Sequence, residues 1–124
     1  MNPSEIIGIV GNIFGVTPED IRQKTRKDRA DRVIFARFAA ISLCKRKTTL
    51  TLTGIARCFK LTNHATVLNA IHKCDNMVET NRVYAHLFKL TESIVNSTDF
   101  ERLQHTEFIP FIYSLDTITD EQVN

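Results

Sequence analysis

Apolar side chains recur along this chain mostly at helical spacing. Ile6, Ile7, Val10 and Ile13, with Phe14 beyond them, form one stripe and predict a helix over about Pro3–Ile13. Pro3 suits the first helical position, where its missing N–H is harmless, and Gly15 is the expected stop. Thr17-Pro18-Glu19-Asp20 is a second start signal: a hydroxyl cap, a proline behind it, and acids in the first turn. It predicts a short helix to about Lys24 with Ile21 turned inward. Lys24–Arg32 is polar and basic and reads as a loop or arm. A longer helix is expected over about Asp31–Lys45. Val33, Phe35, Ala36, Phe38 to Ile41, Leu43 and Cys44 make most of its circumference apolar, the mark of a central helix.

Thr48–Thr53 is rich in β-branched residues, but it reads as a loop leading to Thr51 as a helix cap. Leu52, Ile55, Ala56 and Phe59 then share one helical face. Lys60-Leu61-Thr62 forms a three-residue turn, and Asn63 or Thr62 caps a further helix with Val67, Ala70 or Ile71, and Cys74 inward. Two short helices across such a turn, the second with a polar leading edge, are the pattern of a helix-turn-helix at about Thr51–Lys73. After Asp75 the pattern predicts a helix over about Val78–Asn96. Ser97-Thr98-Asp99 is expected to interrupt it, with one more turn over Phe100–Gln104. The apolar patch Phe108–Tyr113, split by Pro110, precedes an acidic tail. The expected architecture is all-α: a small helical bundle over 1–96 and a partly ordered C-terminal extension over 97–124.

Charge sharpens this picture. The formal net charge is only +2, yet Ile21–Lys73 holds 13 of the 16 Lys/Arg and two of the 14 Asp/Glu. That basic centre points to a polyanionic partner, since each neutralised phosphate releases counterions. A solvated basic face is the competing reading. Three cysteines, an odd count in helical segments, make a poor disulfide framework and agree with a reducing compartment. The four histidines and the cysteines match no common zinc spacing, and no CxxC occurs. No nucleophile, base and orienting acid form a catalytic arrangement, so neither enzyme activity nor a cofactor or small-molecule substrate is expected. The opening Met1-Asn2-Pro3-Ser4-Glu5 lacks the basic start of a secretory signal, and no apolar run reaches a membrane span, so a cytoplasmic location with no membrane partner is expected.

Ile34–Cys74 resembles the C-terminal DNA-binding domain of the bacterial replication initiator DnaA. Arg37 matches an arginine of the family's long helix, while Leu52, Ile55 and Phe59 match the first helix of its motif, with Ala56 at a family glycine. His64, Thr66, Val67, Leu68, Ala70 and Lys73 match the second, and the upstream IIGIVGNIFGVTPEDIRQKTRKDR is similar to the family's opening segment, so the resemblance covers about Pro3–Asn76. The resemblance implies a helix-turn-helix of the DnaA and Trp-repressor-like type that binds double-stranded DNA. No GxxxxGK[ST] loop is present, so the expectation is a stand-alone reading module without the ATPase region.

It also implies where contacts fall. Arg29, with Lys27 close by, aligns with the arm residue that enters the minor groove, where a narrow groove concentrates negative potential. Asn63, His64, Ala65 and Thr66 align with the quartet that meets major-groove base edges. Thr51, Leu52 and Thr53 align with the helix start that lies against the backbone, and Asn69 and Lys73 come within reach of phosphates. Arg37 is left as either a phosphate contact or a structural ion-pair partner, and Lys45, Arg46 and Lys47 as a charged helix end or a phosphate site.

Three positions depart from the family. Its Gly-Gly-Arg turn is Lys60-Leu61-Thr62, losing glycine's freedom and an arginine. Asn63 stands for an aspartate: a carboxylate favours the cytosine amino group, whereas an amide can pair with adenine. Ala65 stands for a threonine. Each change can shift base preference by about 1–3 kcal/mol. The expected function is therefore sequence-specific DNA binding in replication or transcription control, with a target differing from the initiator's. The alternatives are a regulator or mobile-element protein, dimeric through the C-terminal extension, and a protein-interaction adaptor that has given up DNA.

Overall fold

A computed structural model describes residues 1–22 and 31–103. Among these residues the elements are six helices: α1 (Pro3–Phe14), α2 (Pro18–Arg22), α3 (Asp31–Lys47), α4 (Leu52–Cys58), α5 (His64–Thr80) and α6 (Arg82–Leu103). The chain divides into two units between Ser93 and Ile94. No helix of the described residues is long and apolar enough to cross a membrane.

The start and end of α1 and the start of α2 are set by local chemistry. Asn2 caps α1 by accepting from the Glu5 backbone N–H at 2.9 Å while Glu5 Oε1 accepts from the Asn2 N–H, a reciprocal capping box. Gly15 ends the helix at φ 73°, a left-handed conformation that costs glycine nothing. Gly11 is needed for space: a Cβ there would stand 2.7 Å from the Val16 carbonyl oxygen. Thr17 Oγ1 accepts from the Asp20 N–H at the start of α2.

Within the first unit α3 is central, packing against α1, α2, α4 and α5. Ile6, Ile7 and Val10 of α1, Ile21 of α2, Ile41 and Leu43 of α3, Ile55 of α4, Phe59 just past it and Val67 of α5 are buried at 0–2% exposure. At about 25 cal/mol per Å2 of apolar area, burying each such side chain fully contributes roughly 1.5–3 kcal/mol. Tyr84 of α6 joins a second cluster, edge-on to Phe14 and Phe35 at centroid distances of 5.8 and 6.1 Å and stacked on Phe88 at 6.5 Å. Its hydroxyl donates to the Phe35 carbonyl at 3.0 Å, so the ring is buried without orphaning its polar end.

Two boundaries differ from the sequence reading. The helix opened by Asn63 does not stop near Cys74 but runs to Thr80, and the next starts at Arg82 instead of Val78. Asn81 makes the break: its N–H donates to the Met77 carbonyl, closing α5, while its Oδ1 accepts from the Tyr84 N–H at 3.0 Å, opening α6. Ser97-Thr98-Asp99 does not interrupt α6. Thr98 Oγ1 donates to the Ile94 carbonyl at 2.9 Å, which lets a polar run stay helical by bonding back to its own preceding turn.

Candidate nucleic-acid interface

The helix-turn-helix is α4, the turn Phe59–Asn63, and α5. Thr51 caps α4 by accepting from the Gly54 N–H at 3.0 Å. At the other end the Leu61 N–H donates to the Ala56 carbonyl at 2.8 Å and the Lys60 N–H to the Arg57 carbonyl at 3.3 Å. These paired bonds form a Schellman stop, which places one residue in the left-handed region. That residue is Lys60, at φ 56°. The turn therefore keeps the conformation that glycine would take there, and a side chain with a Cβ bears the cost.

Arginines fix the turn from behind. Arg37, buried at 7% exposure, donates from Nη1 to the Ile21 carbonyl at 2.7 Å and from Nη2 to the Phe59 carbonyl at 3.2 Å. Arg22 reaches Ser4 Oγ at 2.7 Å and the Cys58 carbonyl at 3.5 Å. Arg37 thus serves structure, through carbonyls of α2 and of the turn, rather than standing as an exposed cation. The basic end of α3 is also largely engaged: Arg46 Nη1 lies 3.1 Å from Glu92 Oε2, its Nη2 3.8 Å from Asp75 Oδ1, and Lys47 Nζ 3.6 Å from Glu92 Oε2. Arg46 also covers the Phe88 ring at 5.1 Å. Acids supplied by α5 and α6 occupy these charges, so they serve interhelical packing.

On α5, Val67, Ala70 and Cys74 turn into the core, and Asn63, His64, Ala65, Thr66, Asn69 and Lys73 are exposed. One helix therefore presents every residue expected at its leading edge. Asn63 Oδ1 accepts from the Thr66 N–H at 3.2 Å and from Thr66 Oγ1 at 3.5 Å. The amide oxygen is engaged as a cap, and the NH2 group faces outward as a donor. Thr51 and Thr53 are exposed at the start of α4. Arg29 and Lys27 lie outside the described residues. Between α4 and the front of α5 runs a notch of about 350 Å3, its polar lining made by Thr53, Thr62, Asn63 and His64 and its apolar lining by Ala56 and Leu61. Arg57 lines it too and was missed by the sequence reading; its place one turn after Thr53 was the available signal. Among the described residues no group of three or more His, Cys, Asp or Glu side chains is arranged to hold a metal ion.

Residues 3–74 match the family described as the bacterial DnaA protein helix-turn-helix. The chain belongs to that DnaA family. It is similar to the chromosomal replication initiator protein DnaA of Aquifex aeolicus, 33% identical over 88 residues, which are 71% of this chain and 21% of that protein. Against the DnaA of Thermus thermophilus the identity is 35% over 81 residues, 65% of this chain and 18% of the other. With that of Campylobacter curvus it is 30% over 84 residues, 68% and 19%. The chain thus spans about a fifth of the length covered by these relatives. The matched residues include α4 and all of α5 up to Cys74.

Proposed function

We propose that this chain binds double-stranded DNA, with the front of α5 in the major groove and the basic stretch of about 24–32 in the minor groove. In this reading Asn63, His64, Ala65 and Thr66 meet base edges, while Thr51, Thr53, Asn69 and Lys73 lie against the backbone. Arg29, with Lys27, enters the minor groove. The observation that carries the proposal is the two-sidedness of α5. Its apolar side is locked into the core and its polar side is exposed, in a chain whose central stretch carries the basic excess. The domain is residues 1–96, and the extension 97–124 is where a protein partner or a second copy would be engaged. The setting is replication or transcription control, the relatives being chromosomal replication initiators.

Titration of the full chain against fluorescent random-sequence duplex at several salt concentrations tests this. Binding should weaken with a log–log slope of several units, each phosphate contact contributing about 0.9. Absence of binding at low salt would overturn the proposal and favour the adaptor reading, which the loss of Gly-Gly-Arg at Lys60-Leu61-Thr62 supports.

A further inference from the structure

From the notch between α4 and α5 we infer that Arg57 clamps a backbone phosphate beside the bases reached by α5; this inference rests on the DNA-binding reading. Arg57 is exposed on the last turn of α4, whereas Ile55 and Ala56 beside it are buried. It shares the notch with Thr53, one turn earlier on α4, and with Thr62, Asn63 and His64 across it. The notch mixes polar and apolar walls and sits where the two helices of the motif converge.

Several cations of the bundle are already engaged, and among the described residues Arg57 is the Lys or Arg that lines the notch. Arg22 and Arg37 spend their guanidinium groups on carbonyls and a hydroxyl, and Arg46 and Lys47 spend theirs on Asp75 and Glu92. Among the described residues the Arg57 side chain makes no hydrogen bond or ion pair. Its backbone carbonyl serves the Schellman stop, so shortening the side chain leaves the turn's hydrogen bonds intact. Nothing in the fold requires a cation there.

The first helix of such a motif crosses the phosphate backbone while the second enters the groove. A guanidinium on the α4 wall, next to His64 and Asn63, is therefore placed against the strand whose base edges α5 meets. Its planar fork matches two phosphate oxygens, which a lysine ammonium does only as a point charge. The opposite wall carries Thr62, so among the described residues Arg57 is the one Lys or Arg in the notch, and its removal should be read cleanly.

The test uses the full chain and fluorescent duplexes of random and of selected sequence. Arg57→Ala should lose about tenfold in affinity at low salt on every duplex alike, and its salt slope should become shallower by about one unit. Arg57→Lys should keep the wild-type slope with an intermediate affinity. Adding Thr62→Arg to Arg57→Ala should restore the slope from the other wall. If wild type binds and Arg57→Ala matches it in affinity and slope, the clamp is overturned while the DNA-binding reading stands. If Arg57→Ala instead changes base preference at one position with its slope intact, Arg57 reads a base and the phosphate assignment is overturned. If wild type itself fails to bind at low salt, the reading beneath the inference has failed.

Discussion

A hydrogen bond of 3.2 Å runs from the guanidinium of Arg37 to the carbonyl of Phe59, joining the middle of α3 to the turn between α4 and α5. The same guanidinium holds Ile21. Three elements thus depend on one side chain. Arg37→Met should cost about 2–4 kcal/mol, because two carbonyls lose a charged donor in a buried setting. Arg37→Lys should recover part of that, since an ammonium cannot span both. Urea denaturation measures the loss, and equal stability of Arg37→Met and wild type would refute the role.

Lys60 occupies left-handed backbone where most residues are strained by about 1–2 kcal/mol. Lys60→Gly should therefore raise stability by roughly 0.5–1 kcal/mol, the gain being reduced by glycine's greater freedom in the unfolded chain. Lys60→Val should lower it. Thermal melts of the three proteins give the order, and a Gly variant less stable than wild type would contradict the strain.

Asn63 has two separable tasks, because its amide oxygen caps α5 and its NH2 faces outward. Asn63→Ala should lose about 1 kcal/mol of stability through the missing cap and also change base preference. Asn63→Asp keeps the cap, so its melting should stay close to wild type, while its outward atom becomes an acceptor and preference shifts toward cytosine. Selection from random duplexes, run beside melts, separates the two. Lys73→Ala should weaken all sequences alike; a change in preference for that variant would place α5 differently in the groove.

Burial pushes the Cys44 thiol up from 9.0 to about 12, with Cys58 adding to the shift and Arg22 opposing it. The folded chain therefore keeps this proton at a pH where the unfolded chain has released it. The stabilisation is fully present below pH 9 and is lost as pH rises toward 12. Cys74 is raised by burial as well, against hydrogen bonds that lower it, and Tyr84 is raised by burial, so both act in the same direction. The urea midpoint should fall between pH 9 and 11, and Cys44→Ala should make that fall shallower. An unchanged slope in the variant would remove Cys44 as a source.

Much of this was legible in the sequence, for identifiable reasons. Ile6, Ile7 and Val10 spaced on one face, Gly15 after them and Thr51 ahead of Leu52 are local signals, and local physics decides them. Asn63 as cap and the exposed edge through Lys73 also followed from spacing, with the family resemblance assigning the roles. What failed was non-local or hidden by composition. Met77, Val78 and Val83 read as one apolar run, although Asn81, a strong cap residue inside it, marked the break. The partners of Arg37 lie 16 and 22 positions away, beyond any periodicity. Arg46 and Lys47 read as phosphate candidates because their acids, Asp75 and Glu92, sit on distant helices.

Asn81 also sets a tolerance. It alone stands between Thr80 and Arg82, so α5 and α6 meet with no spare length. Each residue advances a helix by about 100°. Lengthening α6 by one residue ahead of Tyr84 would therefore turn the ring and its hydroxyl about a quarter of the way around the axis, away from Phe14, Phe35 and the Phe35 carbonyl. Side-chain substitutions in this corner change one contact at a time, whereas a single-codon insertion there would rotate a whole aromatic cluster out of phase. Length, more than composition, is the constraint that holds this junction.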